Sequence, residues 1–158
     1  MITATHLHAM VVHFPIALLL FGFLSELIAL VSRKVFFKQA AFYLLIGGTL
    51  GTIASYLAGD AAGEGMEEGT MGTALELHEQ AATISLWLAV GTAVVYLAMF
   101  FFKYNKTWAR AVSVLLFAGV ISAIARTGYL GGELVYKHGA GVQLALPDFS
   151  NPATDKDE

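Results

Sequence analysis

Four long apolar runs dominate this sequence, at about residues 11–31, 40–57, 81–102 and 109–130. A helix needs about 20 apolar residues to cross the hydrocarbon core of a bilayer, and each run is close to that length. The composition agrees with this reading, because 57% of the chain is hydrophobic and only 13% is charged, about half the charged fraction of soluble domains. We therefore expect an all-α fold, a four-helix transmembrane bundle in direct contact with the lipid bilayer.

The runs leave no room for a separate soluble domain, so residues 1–146 are expected to form one membrane domain. The tail 147–158 is polar and acidic, which predicts disorder. Residues 59–77 are rich in Gly and Glu, and we predict a loop there with one short surface helix. Thr73 followed by Glu76 has the spacing of a capping box for the third span. The first ten residues contain no Lys or Arg, so we expect a retained helix rather than a signal peptide.

The basic residues predict the orientation of the bundle. Six of the nine lie in the two loops that follow the first and third spans, namely Arg33, Lys34, Lys38, Lys103, Lys106 and Arg110. Loops with an excess of Lys and Arg stay in the cytoplasm. We therefore expect a multi-pass protein of the bacterial inner (cytoplasmic) membrane with both termini on the outer, periplasmic side.

Several function classes are disfavoured by the sequence. The absence of cysteine excludes disulfides, thiolate metal sites, iron–sulfur clusters and covalently attached c-type haem. The net charge of −3 without a basic patch argues against nucleic acid as a partner. The sequence contains no G-x-S-x-G motif, which argues against a serine hydrolase of that type. Glu26 and Arg126 are the charged residues within the spans, too few for a transmembrane proton or ion relay.

All five histidines fall at the predicted outer end of the bundle. His6, His8 and His13 begin the first span, His78 begins the third, and His138 follows the fourth. An imidazole is costly in a membrane without a partner, so this grouping predicts a shared ligand. For each histidine alone, a helix cap or an interfacial polar residue is the structural alternative.

Pro15 leaves two local structures open for the first histidines. His13 caps a helix that starts there, with His8 on an incoming segment, or a kinked helix begins near Thr5. In both cases we expect His8 and His13 to converge on the bundle axis.

The two charged residues within the spans each need a partner. Arg126 is expected to pair with Asp60 or Glu133, or to hold an anionic group such as a haem propionate. Glu26 is expected to reach the inner surface or to pair with a base such as Arg33, and we assign it no role.

Two motifs resemble those of an uncharacterised family of small bacterial four-helix membrane proteins, a domain of unknown function. The opening motif runs from Leu7-His8 to His13-Phe14-Pro15-Ile16-Ala17-Leu18, and the closing motif from Thr127-Gly128 through Gly131-Gly132 and Val135-Tyr136 to His138-Gly139-Ala140-Gly141-Val142. The resemblance implies His8, His13, His78 and His138 as the key imidazoles, with His6 as an extra. It implies no settled activity.

Three functions follow from the chemistry of the histidines. The first is a b-type haem protein that transfers electrons, with His8, His13, His78, His138 and Arg126 as haem-binding residues and a periplasmic cytochrome or quinol as partner. The second is an enzyme, transporter or sensor that binds a Zn, Cu or Fe ion through the same four histidines, with Asp60, Glu64 or Glu79 completing the shell. The third is an accessory subunit of a larger membrane complex. Enzymatic activity stays open.

Overall fold

The chain folds into long helices. The computed structural model describes residues 3–64, 69–104 and 106–142, and in these ranges it has five α-helices. They are α1 (Ala4–Val11), α2 (His13–Ser32), α3 (Val35–Gly63), α4 (Gly69–Phe101) and α5 (Thr107–His138). Helices suit an apolar chain, because lipid offers no hydrogen-bond partner to an unpaired backbone group. The tail predicted to be disordered falls outside the described residues.

Four helical stretches have the length and apolar composition to cross a membrane. They are Ala4–Ser32, Val35–Gly63, Met71–Phe101 and Thr107–His138. The first of these stretches comprises both α1 and α2. This confirms the prediction of an all-α fold with four candidate membrane spans. Each stretch is longer than its apolar run, so the helices extend beyond the segments that hydropathy marks.

The segment 59–77 differs from its prediction as a loop. Helix α3 continues to Gly63 and α4 already begins at Gly69, so Thr73 lies inside α4 and does not cap it. The reason is that hydropathy reports contact with lipid, whereas helix formation depends on propensity. Ala, Leu, Glu and Met, which are frequent here, are good helix formers in any solvent.

The first span is kinked, which is the second of the two local structures considered. Helix α1 ends at Val11 and α2 starts at His13, with Pro15 in its first turn. Proline is tolerated there because the first amide groups of a helix have no partner within it. Pro15 cannot donate to the carbonyl of Val11, so the two helices do not continue as one straight rod.

The core contains side chains from every span. Leu19 of α2, Leu45 of α3, Ala89 of α4 and Phe117 of α5 are fully buried in one cluster. Helices α2 and α3 approach closely because Gly48 faces Leu19. A Cβ on Gly48 would lie 2.5 Å from Cγ of Leu19, so glycine is required there.

The bundle consists of two helical hairpins with matching buried positions. Helix α2 packs mainly on α3, and α4 packs mainly on α5. Several buried residues of α2 have a buried counterpart in α4 at one constant separation in residue number, and the same holds for α3 and α5. These constant separations indicate a structural repeat of the kind known in membrane proteins. The matching buried residues are Pro15 and Ser85, Leu19 and Ala89, Gly22 and Thr92, Leu45 and Phe117, and Gly48 and Val120.

The outward faces of the spans carry large apolar side chains. Phe21, Leu50, Trp87 and Leu115 are each more than 60% exposed. Such a belt around all four spans would be unfavourable in water, and it supports contact with the lipid bilayer.

Candidate functional site: a cleft with two anchored histidines

A cleft of about 540 Å³ lies at the histidine end of the bundle. It lies between α1, α3 and α4, and two of the five histidines, His8 and His78, line it. The other lining residues are Ser55, Tyr56, Gly59, Asp60, Leu75, Glu76, Glu79, Gln80, Ala82, Thr83 and Ile84.

His8 is held against α3 by two contacts one helical turn apart. Its Nδ1 lies 2.9 Å from the carbonyl oxygen of Ser55. A carbonyl can only accept, so Nδ1 carries the proton. The ring also lies on Gly59, where a Cβ would come within 2.9 Å of Cε1 of His8.

His78 is held against α5 in the same way. Its Nδ1 donates to the carbonyl oxygen of Thr127 at 3.1 Å. The ring lies on Gly131, where a Cβ would be 3.1 Å from Cε1 of His78. The hydroxyl of Thr127 is in turn 2.9 Å from the hydroxyl of Ser85 on α4, which helps to hold α5 beside the histidine.

The two anchors are equivalent positions of the two hairpins. His8 and His78 are separated by the same number of residues as the matching positions of α2 and α4. The offset that relates α3 to α5 takes Ser55 to Thr127 and Gly59 to Gly131. Each hairpin therefore presents one imidazole, fixed by a backbone carbonyl and a glycine one turn later.

This arrangement leaves one nitrogen of each ring available to a ligand. With Nδ1 protonated and bound to a carbonyl, Nε2 of the neutral imidazole carries a lone pair. Ligating histidines in metal sites typically donate their second ring N–H to a carbonyl or carboxylate, which fixes the tautomer and the orientation. His8 and His78 both have that outer contact.

Acidic residues surround the histidine pair without completing a metal site. Asp60, Glu76 and Glu79 line the cleft, and Glu76 accepts a hydrogen bond from Gln80. Among the residues that the structure describes, no three His, Asp or Glu side chains are grouped so that they could hold a metal ion. The described part of the cleft thus offers two imidazoles as its nitrogen ligands.

His13, His6 and His138 lie outside the cleft lining. His13 is exposed at the start of α2 and its Nδ1 donates to the carbonyl of Ala9 at 2.7 Å, so His13 does not converge with His8 as expected. His6 is also exposed, and its Nδ1 lies 2.8 Å from the hydroxyl of Thr3. His138 is the last residue of α5 and is half-buried.

Arg126 and Glu26 differ from the pairings expected for them. Arg126 is exposed, and within the described ranges it forms no ion pair, because Glu133 contacts Lys137 instead. Glu26 is 3% exposed and lies 3.6 Å from Nε of Arg110, not near Arg33 as one alternative had it. The partner comes from α5 because that helix packs on α2 at the basic end.

Sequence reasoning missed the residues that hold the two histidines. Ser55 and Thr127 contact the histidines through their backbone carbonyls, and Gly59 does so because it has no side chain. Their residue types therefore do not indicate this role in the sequence. A signal is nevertheless present, because Ser55 and Thr127 are each followed by a glycine four positions later, near the end of a span.

Comparison with known proteins identifies the family. The model of the family described as "Predicted membrane protein (DUF2231)" matches residues 4–144. No curated protein and no solved structure matches the chain. The match covers all five helices, so the resemblance to an uncharacterised membrane family is confirmed, and the chain belongs to this family of predicted membrane proteins.

Proposed function

We propose that the histidine-end cleft binds one b-type haem, that His8 and His78 are the residues that would hold it, and that the protein transfers electrons. The observation that carries this proposal is the pair of equivalent imidazoles lining one cleft, each with Nδ1 bound to a backbone carbonyl. Two equivalent donors suit one guest with two equivalent coordination positions.

The number of ligands favours haem over a bare ion. A porphyrin supplies the equatorial nitrogens, so the protein needs to add at most two axial ligands. Zinc sites need three or four protein ligands, and the described residues hold no such group. The cleft volume of about 540 Å³ lies within the range of cofactor pockets.

The protein's own residues would position the group and control its surroundings. The carbonyls of Ser55 and Thr127 orient the two imidazoles and fix which ring nitrogen carries the proton. Gly59 and Gly131 keep the rings close to α3 and α5. Bound haem would supply one-electron chemistry, and a periplasmic cytochrome or a quinol is the proposed partner. Arg126 remains a proposed contact for a propionate.

A spectrum tests the proposal. Protein produced with added haem precursor and extracted in mild detergent should show a Soret band and a sharp α-band after reduction by dithionite. We expect His8→Ala and His78→Ala to lose most of the haem. His6→Ala, which removes an exposed imidazole outside the cleft, should retain it. Colourless wild-type membranes, or equal haem content in all three variants, would refute the proposal.

A non-haem metal ion is the second candidate, because three carboxylates line the same cleft. Elemental analysis of tag-free protein distinguishes it from haem. Stoichiometric zinc, copper or non-haem iron that disappears in His8→Ala would support the ion. Protein with neither haem nor metal would point to an accessory subunit of a membrane complex.

A further inference from the structure

A second cleft, of about 450 Å³, opens at the opposite, basic end of the bundle. We propose that it binds an anionic phospholipid, with the phosphate held by Lys38, Lys103 and Arg110 and an acyl chain lying on the aromatic side chains beside them. This site is independent of the histidine cleft. The remaining lining residues are Glu26, Gln39, Phe42, Tyr43, Tyr96, Met99, Phe100 and Ser113.

The charges of this cleft favour an anion. Lys38, Lys103 and Arg110 line it together with a single carboxylate, that of Glu26. Glu26 lies 3.6 Å from Nε of Arg110, so its charge is already compensated. Lys38 and Arg110 are equivalent positions of the two hairpins, by the same offset that relates α3 to α5. Each hairpin therefore contributes one basic residue to the cleft.

One buried donor lacks an acceptor in this region. The hydroxyl of Tyr96 is buried and has no hydrogen-bond partner among the described residues. A buried donor without an acceptor is destabilising. Tyr96 lines the cleft, so an oxygen-rich headgroup placed there would supply the acceptor that the described residues lack.

The other part of the cleft is apolar and aromatic. Phe42 of α3 and Phe100 of α4 are stacked, with ring centroids 4.9 Å apart. Phe42 follows Lys38 in the chain, and Phe100 precedes Lys103. The surface of the cleft therefore changes from charged to apolar. Basic pockets between membrane helices with this layout bind anionic lipid headgroups. A free phosphate ion would use the charges but leave the aromatic surface uncovered.

Lipid binding to the purified full-length chain tests this site. The delipidated protein in detergent is titrated with phosphatidylglycerol, phosphatidylcholine or glycerol 3-phosphate, and the complexes are counted by native mass spectrometry. We expect phosphatidylglycerol to bind more tightly than phosphatidylcholine. The double variant Lys38→Gln, Lys103→Gln should weaken phosphatidylglycerol binding about tenfold or more.

The matched control removes the same amount of charge at the same end of the bundle. Lys34→Gln, Lys106→Gln removes two lysines that do not line the cleft, and it should bind phosphatidylglycerol as the wild type does. Equal weakening in both double variants, or equal affinity of the wild type for the two lipids, overturns the proposal. Displacement of the lipid by millimolar glycerol 3-phosphate also overturns it, because the site would then be one for a small anion.

Discussion

At the scale of single residues, two glycines determine where the histidines of the cleft lie. Gly59 and Gly131 each face an imidazole, and a Cβ there would lie 2.9 Å from Cε1 of His8 or 3.1 Å from Cε1 of His78, closer than an ordinary van der Waals contact. Glycine inside a helix costs about 0.5–1 kcal/mol relative to alanine. That cost is offset here by close approach of the ring, which in turn allows the hydrogen bond from Nδ1 to a carbonyl one turn earlier.

The substitution Gly59→Ala should displace His8 and break its hydrogen bond to Ser55. The Cβ would meet Cε1 of His8 at 2.9 Å, and loss of a hydrogen bond costs about 1 kcal/mol. We expect a lower unfolding temperature in detergent and a lower haem content. The matched control is Gly119→Ala, whose Cβ would meet nothing within 4 Å and should stabilise the helix. Equal unfolding temperatures for the two variants would contradict the role assigned to Gly59.

At the scale of elements, the break between α1 and α2 sets the position of His8. In one straight helix His8 and His13 would point about 140° apart. In that case α1 would also have to continue along the axis of α2. The regular helix is interrupted at Val12, and α1 packs on α3, as α2 does further along the same helix. The short helix therefore positions His8, whereas α2 fills the core.

The substitution Pro15→Ala tests this separation. Alanine restores an amide that can donate to the carbonyl of Val11, so a straight helix becomes favourable and α1 should move away from α3. Spin labels on cysteines placed at Met10 and Leu57, which are both exposed, would report a longer distance. Leu20→Ala, at an exposed position of α2, is the control and should leave that distance unchanged. An unchanged distance in the proline variant would show that packing alone maintains the kink.

At the scale of the whole molecule, the two hairpins place different chemistry at the two ends of one bundle. The histidine end carries the paired imidazoles and three carboxylates. The other end carries three basic side chains around one carboxylate. The hairpins share their buried positions, so a common scaffold supports both clefts.

Cysteine labelling tests the proposed orientation of the bundle. The chain has no cysteine, so single substitutions give a clean readout. A membrane-impermeant maleimide should label Thr3→Cys in intact spheroplasts, because the positive-inside rule places the N-terminus outside. Lys34→Cys, in the first basic loop, should react only after permeabilisation. The reverse pattern would reject the orientation.

The sequence by itself determined the number of spans and the family. Apolar runs of bilayer length leave few alternatives, because an unpaired backbone is excluded from lipid. It determined helix ends less well. Gly63 and Gly69 lie in polar sequence that hydropathy assigns to a loop, whereas the Ala, Leu, Glu and Met residues around them favour helix.

Only the tertiary structure decided which histidines share a cleft. The sequence placed five at one end, but the direction of a side chain depends on the rotation and crossing of its helix. His8 and His78 line one cleft, and a glycine lets each ring approach a neighbouring helix, whereas His13 is exposed. The pairing of Glu26 with Arg110 has the same origin. Residues far apart in a chain become partners through helix packing. The apolar composition of the helices does not specify which of their residues come into contact.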